Sequence, residues 1–264
     1  MIIGELINSS RKSIRPLIEA KDEQGIIAVA RAQQEAGADY LDVNCGTFLN
    51  DEPERLSWLV STISDAIDLP LCLDSPNAAA IRTAMPLVRS RAIINSISDE
   101  KERFENILPI VKEFDTKIIA LTMSDGQIPQ TVEDRFTIAE RLIGKLVAAG
   151  VKEDDIYLDP LVQPLAVSEM GASVITSTVA NIKFAYPKLH TVCGLSNISF
   201  GLPGRKLINR YFLTQIIGHG MDSFILDPTD NQLMGAYFAA MALAGKDKYC
   251  KNYLKAHKKG LYGQ

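Results

Sequence analysis

Six times along the chain a short apolar run ends in Asp or Asn just before a turn and a helical stretch. The runs are Tyr40-Leu-Asp42-Val-Asn44, Leu71-Cys-Leu-Asp74-Ser, Ile93-Ile-Asn95-Ser, Tyr157-Leu-Asp159-Pro, Gly194-Leu-Ser-Asn197 and Phe224-Ile-Leu-Asp227-Pro. Continuous apolar runs of this length, separated by helices, are what a parallel sheet covered on both faces requires. A polar side chain at the buried end of such a strand costs desolvation unless something satisfies it. The repeat therefore predicts both a class of fold and the end of that fold where a ligand is held.

Counting every β-type run gives eight, near Ile2–Ile7, Tyr40–Asn44, Leu71–Asp74, Ala92–Ser96, Lys117–Met123, Ile156–Asp159, His190–Leu195 and Ser223–Leu226. Between them the period becomes helical. Leu56, Leu59, Val60, Ile63 and Ile67 form one stripe, Ile81, Ala84, Met85 and Val88 another, followed by Phe104, Ile107, Leu108, Val111 and by Leu142, Ile143, Leu146. Asp51 before Pro53, Asn77, and the capping-box spacing of Asp99 with Glu102 mark helix starts, while Gly37 and Gly150 suit helix ends. Eight strands alternating with helices over 264 residues predict an α/β fold of the (β/α)8 TIM-barrel class rather than an open doubly wound sheet. The expectation is one domain over residues 1–264, with a basic C-terminal tail from about Lys246 to Lys259 that reads as a solvated helix end or a docking surface.

A net charge of -4 gives no broad attraction for nucleic acid or an anionic membrane surface. No apolar run is long enough to span a bilayer, and Met1-Ile-Ile-Gly-Glu5 lacks the flank of a secretory signal, so a cytoplasmic protein is expected. Cys45, Cys72, Cys193 and Cys250 are widely spaced, and His190, His219 and His257 lie at no ligand spacing from one another or from a cysteine, so no metal site is expected. Cys72 and Cys193 share the strand parity of Asp74 and Asn197, which predicts both in the layer beneath the site. His219, between Gly218 and Gly220, suits a helix C-terminal cap.

In a barrel of this class the strand C-termini form the functional face, which gathers Asp42, Asn44, Asp74, Asn95, Asp159, Asn197 and Asp227 around one mouth. An Asp before Pro or Ser is also a turn former or helix cap, a role open to Asp227 and Asp42. The set is acidic and amide-rich, and a phosphate would want cations or a glycine-rich turn instead. Carboxylates and amides suit a neutral, flat heterocycle rich in donors. A pterin is one, since its 2-amino group and ring N–H can meet a carboxylate in a two-pronged pair.

The segment Gly194-Leu-Ser-Asn197-Ile-Ser-Phe-Gly-Leu-Pro-Gly-Arg205-Lys-Leu-Ile-Asn209-Arg-Tyr-Phe resembles the corresponding stretch of the methyltetrahydrofolate-binding domain of cobalamin-dependent methionine synthase. Gly4-Glu5-Leu-Ile-Asn8, Leu41-Asp42-Val-Asn44, Cys72-Leu-Asp74-Ser75, Ile94-Asn95-Ser96 and Tyr157-Leu-Asp159-Pro160-Leu are similar, in order, to the methyltetrahydrofolate:corrinoid protein methyltransferases. This resemblance implies a pterin-binding TIM barrel, a homodimer, and methyl transfer in either direction between methyltetrahydrofolate and the cobalt of a corrinoid. It implies that Asp74, Asn95 and Asp159 hydrogen-bond the pterin and that Asn197 is the catalytic group reaching the nitrogen that bears the methyl. Asp42, Asn44, Ser196 and Arg205 are second contacts on the same grounds, with Arg205 directed to the glutamate tail of folate or to ordering its loop. The loop Ser9-Ser10-Arg11-Lys12 departs from the Gly-rich or Thr-rich stretch of many relatives. No histidine here has the neighbours of an Asp-x-His-x-x-Gly cobalamin motif, so the corrinoid, or cobalamin, is expected on a separate partner protein. Two alternatives remain at this stage: dihydropteroate synthase-like condensation of a pterin diphosphate, and a pterin-binding subunit without catalysis.

Overall fold

Isoleucine, leucine and valine dominate the eight runs, and each run forms a strand. They are β1 (Ile2–Asn8), β2 (Tyr40–Asn44), β3 (Leu71–Asp74), β4 (Ile93–Ser98), β5 (Lys117–Leu121), β6 (Ile156–Asp159), β7 (His190–Gly194) and β8 (Ser223–Leu226). In this computed structural model, which describes residues 1–126, 128–168 and 170–262, consecutive strands pair in parallel and β8 pairs with β1 to close a barrel. The expected α/β barrel is the architecture observed. Its helices are α1 (Arg15–Glu19), α2 (Glu23–Glu35), α3 (Glu52–Ala66), α4 (Ala78–Ala84), α5 (Lys101–Glu113), α6 (Val132–Ala148), α7 (Gly171–Ala185), α8 (Arg205–Gly218), α9 (Asn231–Leu243) and α10 (Lys251–Lys258).

Strand parity sorts the barrel into layers, because alternate side chains point inward. Ile3, Cys72, Ile93, Ile119, Tyr157 and Val192 form one buried interior cluster, with Tyr40 and Ile225 packed against it. All eight strands contribute to this floor. Residues of the opposite parity, such as Leu41, Leu73, Ile94, Ile118 and Leu158, pack outward against the helices. Burying one such side chain stabilises the fold by about 1.5–3 kcal/mol.

The helical stripes are buried as expected, including Leu56, Leu59, Val60 and Ile63 of α3. Asn77 caps α4 by accepting from the backbone N–H groups of Ala79 and Ala80. Three expectations fail locally. The Ile81 stripe does not continue as α-helix to Val88, because Pro86 lacks the N–H the helix needs and the chain tightens into a 3-10 turn over Met85–Leu87. Asp99 does not cap α5; its carboxylate takes Arg141 at 2.8 Å and Lys145 at 2.6 Å, two cations of α6. Asp51 likewise makes no side-chain capping bond at α3.

Cys72 lies in the interior layer beneath Asp74, as parity predicts, but Cys193 does not lie beneath Asn197. It packs outward with Ile175, Val179 and Leu213, and Val192 takes the interior position. The two-residue count breaks at Gly194, where the chain leaves the strand for a 3-10 turn over Leu195–Ser199.

At the opposite, N-terminal end of the strands, His190 stacks on Tyr157 with ring centroids 4.7 Å apart, and Lys117 donates to the Tyr157 hydroxyl at 3.2 Å. The basic tail covers this end as well. Lys246 donates to the carbonyls of Gly220 and Met221, and Lys255 and Lys259 share a groove with Ile2, Gly37 and Asp39. His219 ends α8, its Nδ1 2.9 Å from the Gln215 carbonyl oxygen, in the capping role expected. Among the described residues no helix is long and apolar enough to cross a membrane.

Candidate active site

Two residues beyond each floor position stand Glu5, Asp42, Asp74, Asn95, Leu121, Asp159, Gly194 and Asp227, and all eight line one cavity of about 720 Å³ at the strand C-termini. That volume is in the range of small-molecule sites. Ser196, Asn197 and Arg205 line it too, so the strand-end residues singled out from the sequence converge, with one exception. Asn44 is not on the cavity wall. It stands behind Asp74, donating from Nδ2 to Oδ2 at 2.8 Å, while its Oδ1 accepts from the Gly46 N–H at 3.0 Å.

Strand register explains the grouping. Asn44 lies opposite Asp74, and Asp74 opposite Asn95, so three neighbouring strands deliver their polar ends side by side. Asn95 Nδ2 is 3.4 Å from Asp42 Oδ1. Burial pushes the Asp42 carboxyl well above the usual carboxylate range, and the neighbouring Asp74 pushes it further. Burial also raises Asp74, to about 6, against the lowering effects of the Asn44 hydrogen bond and the Arg103 charge.

Asp159, two strands round from Asn95, is raised by burial to about 7 even though its carboxylate accepts from the backbone N–H groups of Leu161 and Gly194. The Leu161 bond is 2.8 Å, a two-residue turn closed on the Asp159 side chain. Carboxyls titrating between about 6 and 7 accept hydrogen bonds when ionised and donate when protonated. A ligand with several N–H groups would draw them to the ionised form.

Asn197 rides on the 3-10 turn after β7, exposed to the cavity, and its side chain makes no hydrogen bond to the described residues. Gly194 makes room for it: a Cβ there would come 3.0 Å from Asn197 Nδ2. Arg205, the first residue of α8, donates from Nη2 to the Ser196 carbonyl at 2.9 Å and from Nε to Ser199 Oγ at 3.1 Å. Of the two roles open to it from the sequence, the structure shows the ordering of this loop. Asp227 both lines the cavity and forms a turn, accepting from the Thr229 N–H at 2.9 Å and its hydroxyl at 2.6 Å.

Glu5, Arg11 and Asn209 are among the cavity residues that the sequence reading missed as site residues. Glu5 is held at 2.5 Å by Arg11 of the β1 loop, and burial is the main influence raising its carboxyl. It sits within a seven-residue strand with irregular register, so a search of strand ends passes over it, although its parity with Ile3 points inward. Asn209 lines the cavity too, and its buried Oδ1 has no hydrogen-bond partner among the described residues. Its signal was helical spacing, four residues after Arg205 on α8.

The family model described as pterin binding enzyme matches residues 4–227. The chain belongs to that family. Among the relatives of this pterin-binding enzyme, the methylcorrinoid:tetrahydrofolate methyltransferase of Eubacterium limosum is 37% identical over 100% of this chain and 98% of its own length. The methionine synthase of Mycobacterium tuberculosis is 30% identical over 86% of this chain, which spans 20% of that much longer protein. Among solved structures, dihydropteroate synthase of Yersinia pestis superposes with a TM-score of 0.70 at 16% identity, covering 95% of this chain and 94% of that one. A dihydropteroate synthase of Xanthomonas albilineans gives 0.71 at 17%, covering 92% of each chain. At that identity the likeness speaks for the barrel alone.

Proposed function

We propose that the chain is a methyltransferase moving a methyl group between the nitrogen of methyltetrahydrofolate and the cobalt of a corrinoid carried by a separate protein. One observation carries this reading beyond the family. The unbonded amide of Asn197 lies at the Gly194 gap, four strands round from Asp74, in a chain similar along its whole length to a methylcorrinoid:tetrahydrofolate methyltransferase.

Asp74 and Asp159 in their ionised forms accept from the ring N–H and 2-amino groups of the pterin, and Asn95 adds an amide contact. Asp42 backs Asn95, Asn44 backs Asp74, and Arg205 with the Ser196 carbonyl holds the turn of Asn197. Methyl transfer to Co(I) breaks a carbon–nitrogen bond as a carbon–cobalt bond forms, leaving the electron pair on nitrogen. Nitrogen is a poor leaving group unless the lone pair it already carries is protonated or strongly hydrogen-bonded, so that it departs as a neutral amine. Asn197 supplies the hydrogen bond, its Nδ2 donating to the bare nitrogen or its Oδ1 accepting from the protonated one. The proton comes from water, since an amide cannot release one at neutral pH. The reverse direction uses the same contacts.

On this reading the chain is one domain that works as a cytoplasmic homodimer, holds no metal of its own and engages no nucleic acid or membrane. The test is spectroscopic. Mixed with methyltetrahydrofolate and a reduced corrinoid protein, the enzyme should convert the Co(I) visible spectrum to that of methyl-Co(III), and tetrahydrofolate with the methylated corrinoid should run the change backwards. An unchanged cobalt spectrum with a partner that a known methyltransferase can methylate refutes the reading.

A further inference from the structure

Arg103 lies in the first turn of α5, half-buried behind the strand ends that carry Asp74 and Asn95. Its Nη2 donates to the Ser75 carbonyl at 2.8 Å, its Nη1 to the Pro76 carbonyl at 2.6 Å and its Nε to the Ser96 carbonyl at 2.7 Å. Ser75 and Ser96 are the residues directly after Asp74 and Asn95. The rigid guanidinium fork therefore bridges the loop leaving β3 and the irregular stretch of β4 just after Asn95. All three of these bonds go to neutral carbonyls, so the positive charge is left to act on nearby carboxylates, Asp74 foremost, then Glu100 and Glu52. Around Asp74, Asp42 on β2 and Glu52 at the start of α3 are like charges, Asn44 is a neutral donor, and Arg103 is the cation.

We propose that Arg103 is a positioning residue for the pterin grip: it ties the loop after β3 to β4 itself, just beyond Asn95, so that Asp74 and Asn95 face the cavity together, and its charge favours the anionic form of Asp74 that accepts the pterin's N–H groups. This rests on the pterin-binding reading of the cavity.

Calorimetric titration of tetrahydrofolate from about pH 5.5 to 8.5, a range that brackets carboxyls raised by burial, tests the clamp and the charge separately. Wild-type protein that fails to bind tetrahydrofolate refutes the pterin reading itself. Given wild-type binding, Arg103→Gln should weaken affinity at neutral pH by about tenfold or more and move the acid limb of binding up by about one pH unit, the effect of removing an opposite charge. The turnover number at saturating folate should stay within about threefold, because the contact is made in the ground state. Arg103→Lys keeps the charge without the fork, so it should leave the acid limb in place while still losing several-fold in affinity. An unmoved limb in Arg103→Gln, or a fall in turnover with affinity intact, overturns the proposal. Should the glutamine variant not fold, the lysine variant decides alone: weaker binding at an unmoved limb supports the clamp, and wild-type affinity or a shifted limb overturns it.

Discussion

Replacing Asn197 by alanine isolates the group assigned to the reacting nitrogen. Its side chain is exposed and makes no hydrogen bond to the described residues, so its loss removes nothing the fold uses. A substitution of that kind changes stability by no more than about 0.5 kcal/mol, and the melting temperature should hold within a degree or two. Folate affinity should also hold within a few-fold, because on the proposed reading the pterin edge is gripped by Asp74, Asn95 and Asp159, which stand four, three and one strands from Asn197's own. Turnover is where the loss falls. Removing one hydrogen bond that strengthens in the transition state costs about 2.7–4 kcal/mol, or about 10²–10³-fold in rate. Single-turnover mixing of methyltetrahydrofolate with Co(I) corrinoid protein, followed at the cobalt absorbance, measures it without interference from product release. Asn197→Asp then separates the two hydrogen-bonding modes: a carboxylate still accepts from a protonated nitrogen but cannot donate to a bare one. Alanine turnover within about threefold of wild type, at unchanged stability, would refute the assignment.

Gly194→Ala tests the same group from below. Its Cβ would sit 3.0 Å from Asn197 Nδ2, so displacement of the amide should lower the single-turnover rate at least about tenfold with little change in folate affinity; a wild-type rate would contradict the packing argument. Asp159 titrates at about 7 and Asp74 at about 6, and binding draws both to the ionised form, so affinity should fall with pH below about 7 and more steeply below about 6. Calorimetry in buffers of different ionisation enthalpy should show proton release on binding at pH 7, and Asp159→Asn should abolish the upper limb; affinity flat from pH 8 to pH 5 sinks this account. In the ligand-free fold a carboxyl raised from 3.8 to about 7 is least favourable when ionised, so stability should decline as pH rises across that interval, and denaturant melts along a pH series check the sign. Asn44→Ala removes a bond that lowers Asp74, so its loss of folate affinity should be larger at pH 6 than at pH 8; an equal loss at both rejects the orienting role.

The barrel was legible because its signals are local and repeated. Each strand is an apolar run of a few residues, and parity then places Cys72 under Asp74 without knowledge of any contact. The same reasoning misplaced Cys193, since a two-residue period holds only while the chain stays extended and here it turns at Gly194. Asp99 was misread for a related reason: its capping spacing is local, whereas Arg141 and Lys145 reach it from the next helix but one in space, beyond what spacing encodes. At the site, polar strand ends found most of the cavity wall. Glu5 was hidden inside a longer strand, and Asn44 and Asn95 look equivalent in the sequence although one backs a carboxylate and the other faces the cavity. Arg103 carries no sequence signal of its own, because its partners are carbonyls and any residue supplies those.

An eightfold repeat has no inherent front or back, and a flat guest inside it could settle in many rotations. Leu121 and Gly194 remove that freedom. One offers the guest only grease and the other offers nothing at all, so the ring of acceptors is interrupted at two unequal places. On the proposed reading a heterocycle with one donor-rich side is fixed in one rotation by Asp159, which stands between the two gaps, and by the acidic arc facing it, while the amide of Asn197 takes the space the glycine leaves. On that reading a missing side chain, through the amide it admits, helps decide which atom of the substrate meets the incoming metal.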